Sequence, residues 1–255
     1  MKDIVSLLND HLLKQTFHDE EDPGVQLANS QLIAQMYARM ENAVSVLSDL
    51  KADKSYVYYG GAATALGLPD AGTHKEIPSI WEKDIFDKVH PDDLLEKHTL
   101  ELKFFHLVKD FSPAERRDYE IISRLRMQNN NGNYVPIEHR MFYIGNDKNG
   151  SIRLALCLYH FSRHMPDDKS YQGMIINTRS GEIVTPDKKA ISNILSDREK
   201  DVLRLIKKGR QSKEIADLLT ISVYTVNRHR QNILEKLQVS NSMEACRVAE
   251  SMLLL

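Results

Sequence analysis

The most informative stretch of the chain is residues 195–237, which read LSDREKDVLRLIKKGRQSKEIADLLTISVYTVNRHRQNILEKL. Ser196 is followed three positions later by Glu199, the spacing of a capping box at the start of a helix. Gly209 predicts the end of that helix, because glycine readily adopts the left-handed conformation found at helix termini. Apolar residues at helical spacing predict its buried face: Val202, Leu203 and Ile206.

Two more helices are predicted in the same stretch, a short one from Ser212 and, after a turn at residues 220–222, a longer one from Val223 to Leu237. Their predicted buried residues are Ile215, Ala216 and Leu219 in the short helix and Val226, Ile233 and Leu237 in the long one. The other side of the long helix is polar and basic. This is the geometry of a helix-turn-helix, whose second helix fits the major groove of DNA. Asn241 predicts the cap of a last helix with an apolar face at Ala245, Val248, Ala249 and Met252.

Four segments carry a family resemblance: LSxRExxVL at 195–203, GxxSKEIA at 209–216, ISxxTVxxH at 221–229 and NIxxKLxV at 232–239. Together they resemble the LuxR/FixJ-type four-helix DNA-binding domain over residues 190–255. The sequence departs from the family at Asn227, where a lysine or arginine is common, and Arg228 follows it. Because asparagine favours adenine edges and arginine favours guanine edges, operator preference is expected to differ from that of typical members.

The resemblance implies a set of DNA-contacting side chains. The residues expected to face base edges are Asn227, Arg228 and Gln231. The residues expected to face phosphates are Lys213, Ser222, Tyr224, Thr225, His229, Arg230 and Lys236. For His229, a hydrogen bond inside the domain is an equal alternative. Glu199 and Glu214 are expected to cap helices or form pairs within the domain.

Upstream, alternating apolar residues predict three antiparallel strands at 119–127, 134–144 and 151–161, joined by turns rich in asparagine and glycine. They follow a short strand and glycine-containing helix at 55–68 and a helix at 94–111. This pattern predicts an α+β domain that has an antiparallel sheet with helices, and leaves one sheet face available to a ligand or partner.

The order of these elements and the segment VHPDDL at 89–94 resemble a PAS sensor domain over residues 51–162. The third strand ends in Tyr-His-Phe, where many PAS domains have Asp-Ile-Thr. The family includes haem-, flavin-, metabolite- and protein-binding members, so the cofactor stays unknown and a small-molecule ligand is one candidate. Flavin is not favoured because Cys157 and Cys246 lie in no flavin-reactive motif. The only candidates for an axial haem ligand are His98 and His106, and haem is not favoured because these histidines are expected on an exposed helix face, where such residues are usually solvated.

The flanking segments are predicted as helices over residues 1–50 and a linker with a hairpin over residues 163–189. The first segment begins with an apolar helical face at Ile4, Leu7, Leu8 and Leu12. It ends in the acidic run at 18–22, before Pro23 and Gly24, which stop any helix. A second helix over 25–50 has an apolar seam at Leu32, Met36, Met40, Ala43, Leu47 and Leu50. That seam either packs on its own domain or forms a dimer, and the apolar last helix with the tail 253–255 is a second candidate dimer surface.

The composition fits these assignments. The chain has 255 residues and a net charge of −2, but residues 190–255 carry +3 (11 lysine and arginine, 8 acidic residues) and the rest carry −5 (23 and 28). An acidic body with a basic tail is typical of a sensor joined to a nucleic-acid module.

The two cysteines have no metal or disulfide spacing, and no apolar run suits a signal peptide or membrane span. Enzyme motifs are absent, so no catalytic activity and no metal site are expected.

These features favour a one-component transcription regulator in the cytoplasm: an α+β PAS-like domain senses a signal, and an all-α four-helix LuxR-type domain binds double-stranded DNA as a homodimer. RNA polymerase is a candidate further partner, and no membrane contact is expected. Two alternatives stay open. The N-terminal domain can be a protein-docking module without a ligand, or the chain can be a sigma-factor-like protein, although the strand-rich segment 119–161 argues against the latter.

Overall fold

A computed structural model of the chain describes residues 2–18, 24–162, 173–184, 195–237, 239, 241–251 and 254–255. Its N-terminal part is built on one antiparallel sheet with helices, and its C-terminal part is helical, as the sequence predicts. Among the described residues, no helix is both long and apolar enough to cross a membrane.

The sheet has eight strands in the order β3-β2-β1-β6-β5-β4-β7-β8. The strands are β1 (Val44–Asp49), β2 (Lys54–Tyr59), β3 (His74–Ile77), β4 (Tyr119–Gln128), β5 (Tyr134–Asn146), β6 (Ile152–Phe161), β7 (Gly173–Asn177) and β8 (Ile183–Val184). The pairing of β1 with β6 joins the N-terminal hairpin to the later three-stranded meander. The two predicted asparagine- and glycine-rich turns connect β4 to β5 and β5 to β6.

Helices cover both faces of the sheet. The N-terminal helices are α1 (Lys2–Leu13), α2 (Val25–Met40), α3 (Gly61–Ala65), α4 (Lys83–Phe86), α5 (Pro91–Val108) and α6 (Pro113–Arg116). One sheet face packs with α1 and α5, and the other packs with α2 through Ala34, which contacts Leu47, Leu154, Leu156 and Leu158. The sequence predicted that one sheet face is available to a ligand or partner. Helix α2 instead covers this face over β1 and β6. Strand β6 is accordingly buried on both faces over residues 152–160.

The predicted helix over 25–50 is wrong, because α2 ends at Met40 and residues 44–49 form β1. Asn42 has a φ of 52°, a left-handed conformation that breaks the helix, and the segment VSVLSD that follows suits an extended strand. The predicted seam is also wrong. Leu32 and Met40 are 58% and 75% exposed, whereas the buried face of α2 is made of small residues that let it approach the sheet: Ser30, Ala34 and Ala38.

Other boundaries shift less. The predicted hairpin forms, but its strand β7 pairs with β4, so this part of the predicted linker belongs to the sheet. Helix α5 begins at Pro91, earlier than predicted, because His90 acts as its cap. The first helix ends at Leu13, and most of the predicted acidic run, residues 19–22, lies outside the described residues.

Candidate nucleic-acid interface

The helical part contains α7 (Asp197–Lys207), α8 (Ser212–Leu219), α9 (Val223–Lys236) and α10 (Ser242–Ser251). The predicted capping box starts α7: the Ser196 N–H donates to Glu199 Oε2 at 2.7 Å, and the Glu199 N–H donates to Ser196 Oγ at 3.3 Å. Asn241 Oδ1 accepts from the backbone of Glu244 at 3.0 Å and caps α10. The buried residues of the domain include Val202, Leu203, Ile215, Ala216, Val226, Ile233, Leu237, Ala245, Val248 and Ala249.

The turn between α8 and α9 sets the position of α9. Thr220 adopts a left-handed conformation with a φ of 55°, which ends α8. Ser222 Oγ then accepts the backbone N–H of Thr225 at 3.0 Å and starts α9. Two cap residues thus fix the turn, and α9 lies across α7 and α8 with Val226 and Ile233 buried.

The outer side of α9 is an exposed polar surface. Asn227, Arg228 and Gln231 are all exposed, and Tyr224, at 77% exposure, lies on the same side because it is three to seven residues from them. Within the described part of the chain, the Asn227 and Arg228 side chains have no hydrogen bond or ion pair. They are therefore available to an external partner. We call Tyr224, Asn227, Arg228 and Gln231 the outer face of α9.

The residues predicted to face phosphates separate into two groups. Lys213 is exposed near the start of α8, and Tyr224 and Thr225 lie in the first turn of α9 with the cap residue Ser222. Arg230 and Lys236, by contrast, are engaged inside the domain. Arg230 donates to Ser212 Oγ at 3.2 Å and to Ser242 Oγ at 3.1 Å.

Lys236 forms an ion pair with the carboxylate of Glu199, with Nζ 2.7 Å from Oε2. The Glu199 side chain is almost fully buried. Burial tends to raise the pKa of Glu199, but the hydrogen bonds from Lys236 and Ser196 outweigh it and hold the pKa below its ordinary value. The expected structural role of Glu199 is confirmed. Glu214 likewise caps α8, accepting the Gln211 N–H at 2.8 Å.

The internal position of Arg230 could have been predicted from the sequence. Arg230 follows buried Val226 by four residues and precedes buried Ile233 by three, so helical periodicity places it beside the buried side. A second missed residue is Glu235, an exposed carboxylate that accepts from Gln231 Nε2 at 3.1 Å. His229 is half-buried, and its Nδ1 is buried without a hydrogen-bond partner among the described residues.

The histidines considered for haem lie on α5 in the N-terminal part. His98 is fully buried, against the expectation of an exposed helix face, and its Nδ1 is 3.0 Å from Glu101 Oε2. Its ring also contacts Trp81 and Phe86. The His106 ring packs edge-on against His11, with ring centroids 4.6 Å apart.

Comparison with known proteins bears on the helical part. The sequence profile of GerE, described as bacterial regulatory proteins of the luxR family, matches residues 193–249. The C-terminal domain belongs to the LuxR family.

A segment of 54 residues is 50% identical to the transcriptional regulatory protein DesR of Bacillus subtilis, covering 21% of this chain and 27% of DesR. A segment of 51 residues is 47% identical to the oxygen regulatory protein NreC of Staphylococcus carnosus, covering 20% of this chain and 24% of NreC. The match thus spans about a quarter of the length of these relatives.

Longer but fainter similarities exist among solved structures. The Vibrio cholera VqmA–ligand–DNA complex is 16% identical, with a TM-score of 0.27, over 88% of this chain and 85% of that chain. The Escherichia coli SdiA structure is 17% identical, also with a TM-score of 0.27, over 99% of both chains.

Proposed function

We propose that this chain is a sequence-specific DNA-binding transcriptional regulator. The observation that carries the proposal is the outer face of α9 in a LuxR-type domain: its side chains are exposed on a capped helix, and those of Asn227 and Arg228 have no partner among the described residues. The arginine and asparagine side chains on that face match guanine and adenine edges in the major groove. Tyr224 on this face, together with Lys213, Ser222 and Thr225 beside it, contacts phosphates, which set the register on the duplex.

Arg230 and Lys236 have a positioning role in this proposal. Their internal bonds tie α9 to α8, α10 and α7. The exposed carboxylate of Glu235 near the end of α9 repels phosphate, so the N-terminal half of the helix enters the groove and the C-terminal half lies farther from the DNA.

The active form is proposed to be a homodimer, because one helix-turn-helix reads few base pairs and two copies multiply affinity. The apolar face of α10 is buried within the chain at Ala245, Val248 and Ala249. Met252 and Leu253, which belong to the same predicted dimer surface, lie outside the described residues. A surface on α2 supports dimerisation instead. Its exposed apolar residues, which we call the α2 stripe, are Val25, Leu32, Ile33, Met36 and Met40.

The N-terminal part is proposed to act as a PAS-like sensor. Its elements follow the expected order, from a strand and a glycine-containing helix through the HPDD segment to the meander. A cavity of about 40 Å³ reaches polar side chains inside it, including Ser48, Glu82 and Lys97. This cavity is far smaller than the roughly 300–1,000 Å³ of a metabolite pocket, so the proposed sensing role rests on the order of the elements. The signal then changes the populations of two dimer geometries with unequal affinity for DNA, and no reaction is catalysed. The proposed action on DNA supports a cytoplasmic location, and RNA polymerase is a candidate further partner.

Chromatin immunoprecipitation of the tagged chain, followed by binding titrations on the recovered fragments, tests this function. The proposal predicts enrichment of a few intergenic sites that share a short motif, which the purified chain binds more tightly than scrambled DNA. Uniform recovery of the genome, or equal affinity for both DNAs, contradicts it.

A further inference from the structure

Three side chains with metal-ligating atoms meet inside the N-terminal part. Glu101 lies on α5, His139 on β5 and Cys157 on β6, and all three are buried. One carboxylate oxygen, one imidazole nitrogen and the thiol sulfur lie within 4.8 Å of one another. The strand register explains the arrangement: Tyr159 pairs with His139, so Cys157, two residues away, lies on the same sheet face, which α5 covers.

The imidazole of His139 has an unused nitrogen directed into this cluster. Its Nδ1 is 3.0 Å from Ser123 Oγ, while its Nε2 is buried without a hydrogen-bond partner among the described residues. The nearest carboxylate atom, Glu101 Oε1, is 4.0 Å from Nε2, too far for a hydrogen bond in either tautomer. When Nδ1 donates to Ser123, Nε2 presents a lone pair toward a carboxylate, an arrangement that a cation between them would stabilise.

The carboxylate of Glu101 is fixed and charged. Lys97 Nζ lies 2.6 Å from Oε1 and His98 Nδ1 lies 3.0 Å from Oε2. Metal-binding carboxylates and imidazoles are held by this kind of surrounding hydrogen bond, which orients their remaining lone pairs. Glu101 and His139 are therefore both oriented before any ion binds.

Space and charge also suit a cation. The cavity of about 40 Å³ that reaches Lys97 also reaches Glu101, Cys157 and Glu82, and a water-sized site needs only about 10–15 Å³. His139 does not line this cavity, but its Nε2 is 4.0 Å from Glu101 Oε1, which belongs to a lining residue. A Cys157 thiolate and two carboxylates would balance the charge of Lys97 and one divalent ion.

We propose that Glu101, His139 and Cys157 bind a divalent transition-metal ion, with zinc as the first candidate. Zinc accepts mixed oxygen, nitrogen and sulfur ligands at about 2.0–2.3 Å in tetrahedral geometry. The ligand atoms move closer together around the ion, the thiol proton passes to solvent, and water fills the fourth position. The site goes beyond the proposed DNA binding and does not depend on it.

Cobalt(II) titration of the full-length chain, after treatment with a chelator, tests the site. We expect one Co²⁺ per chain, visible absorption of tetrahedral cobalt, a sulfur-to-cobalt charge-transfer band, and displacement of cobalt by Zn²⁺. Cys157→Ser removes the charge-transfer band, whereas the matched control Cys246→Ser keeps it. Ser123→Ala keeps the band but weakens Zn²⁺ affinity by about 10- to 100-fold, because it removes the group that orients His139.

Absence of cobalt absorption in the wild-type chain overturns the proposal, and so does a charge-transfer band that persists in Cys157→Ser. The wild-type result stands even where a variant fails to fold, which circular dichroism reports. DNA titration of the same preparations measures the proposed function separately, so failure of one does not imply failure of the other.

Discussion

Lys236 Nζ lies 2.7 Å from Glu199 Oε2, and this contact joins the last turn of α9 to the first turn of α7. The same carboxylate accepts the backbone N–H of Ser196, so one buried group both caps a helix and fixes the end of the proposed recognition helix. The basic residue that the family resemblance assigns to phosphate is thus engaged within the domain. This separates residues that position α9 from residues that are proposed to contact DNA.

Replacement of Lys236 by Ala should therefore act on folding. Removing the partner of a buried, charged carboxylate is expected to lower the free energy of unfolding of the domain by about 1–2 kcal/mol. Denaturant titration of the full chain checks this value. The slope of log affinity against log salt should stay unchanged in Lys236→Ala, whereas the exposed control Lys213→Ala should lower that slope by about one. The reverse pattern would assign the phosphate contact to Lys236.

Arg228→Ala should reduce sequence discrimination. Its guanidinium is exposed on α9 and matches a guanine edge with two hydrogen bonds. We expect a loss of about 1–3 kcal/mol on specific DNA and a much smaller loss on scrambled DNA. Fluorescence anisotropy on both DNAs measures the two values. Arg179→Ala removes an exposed arginine from the turn between β7 and β8 and should change neither. Equal losses on both DNAs would make Arg228 a phosphate contact.

Met36→Glu should weaken the dimer. The substitution places a charge in the middle of the α2 stripe, where the apolar side chains would otherwise be removed from water. We expect the dimer dissociation constant, measured by sedimentation equilibrium, to rise at least about tenfold. Thr64→Glu adds the same charge to the exposed side of α3 and serves as the control. An unchanged dimer in Met36→Glu would move the interface away from α2.

The N-terminal part should lose stability on acidification through His106. Burial, followed by repulsion from His11 and Lys109, lowers the pKa of His106 from 6.5 to about 4, and Asp110 only partly opposes this. Between pH 6.5 and pH 4 the unfolded chain binds a proton at His106 that the folded chain does not bind. His106 therefore leaves the free energy of unfolding unchanged above about pH 6.5 and lowers it as the pH falls toward 4. Unfolding free energies at pH 7 and pH 5 should therefore differ less in His106→Gln than in the wild type. The exposed control His74→Gln should behave as wild type does.

The sequence predicted the C-terminal helices because their signals are local. Ser196, Ser222 and Asn241 act as caps within three residues of their partners, and the apolar spacing inside each helix is regular. The end of α2 was not predictable in this way. The spacing from Leu32 to Leu50 suits a helix, whereas the pairing of β1 with β2 and with β6 keeps residues 44–49 extended.

The candidate DNA interface was predictable at its exposed positions and less so where tertiary contacts intervene. Arg228 and Asn227 need only helical periodicity to be placed outward. The partners of Lys236 and Arg230 come from Glu199, Ser212 and Ser242, which lie on other helices, so sequence spacing within α9 does not reveal them. The same holds for the Glu101, His139 and Cys157 cluster, which three separate elements assemble.

Selection of binding sites from a random double-stranded DNA library by the full-length chain tests the central claim most directly. The account predicts enrichment of two related half-sites whose centres lie one helical turn, about 10 base pairs, or a multiple of it, apart. It also predicts that guanine preference at one position of each half-site is lost when the selection is repeated with Arg228→Ala. A library that shows no enriched sequence after selection would contradict the assignment of α9 as the element that reads DNA.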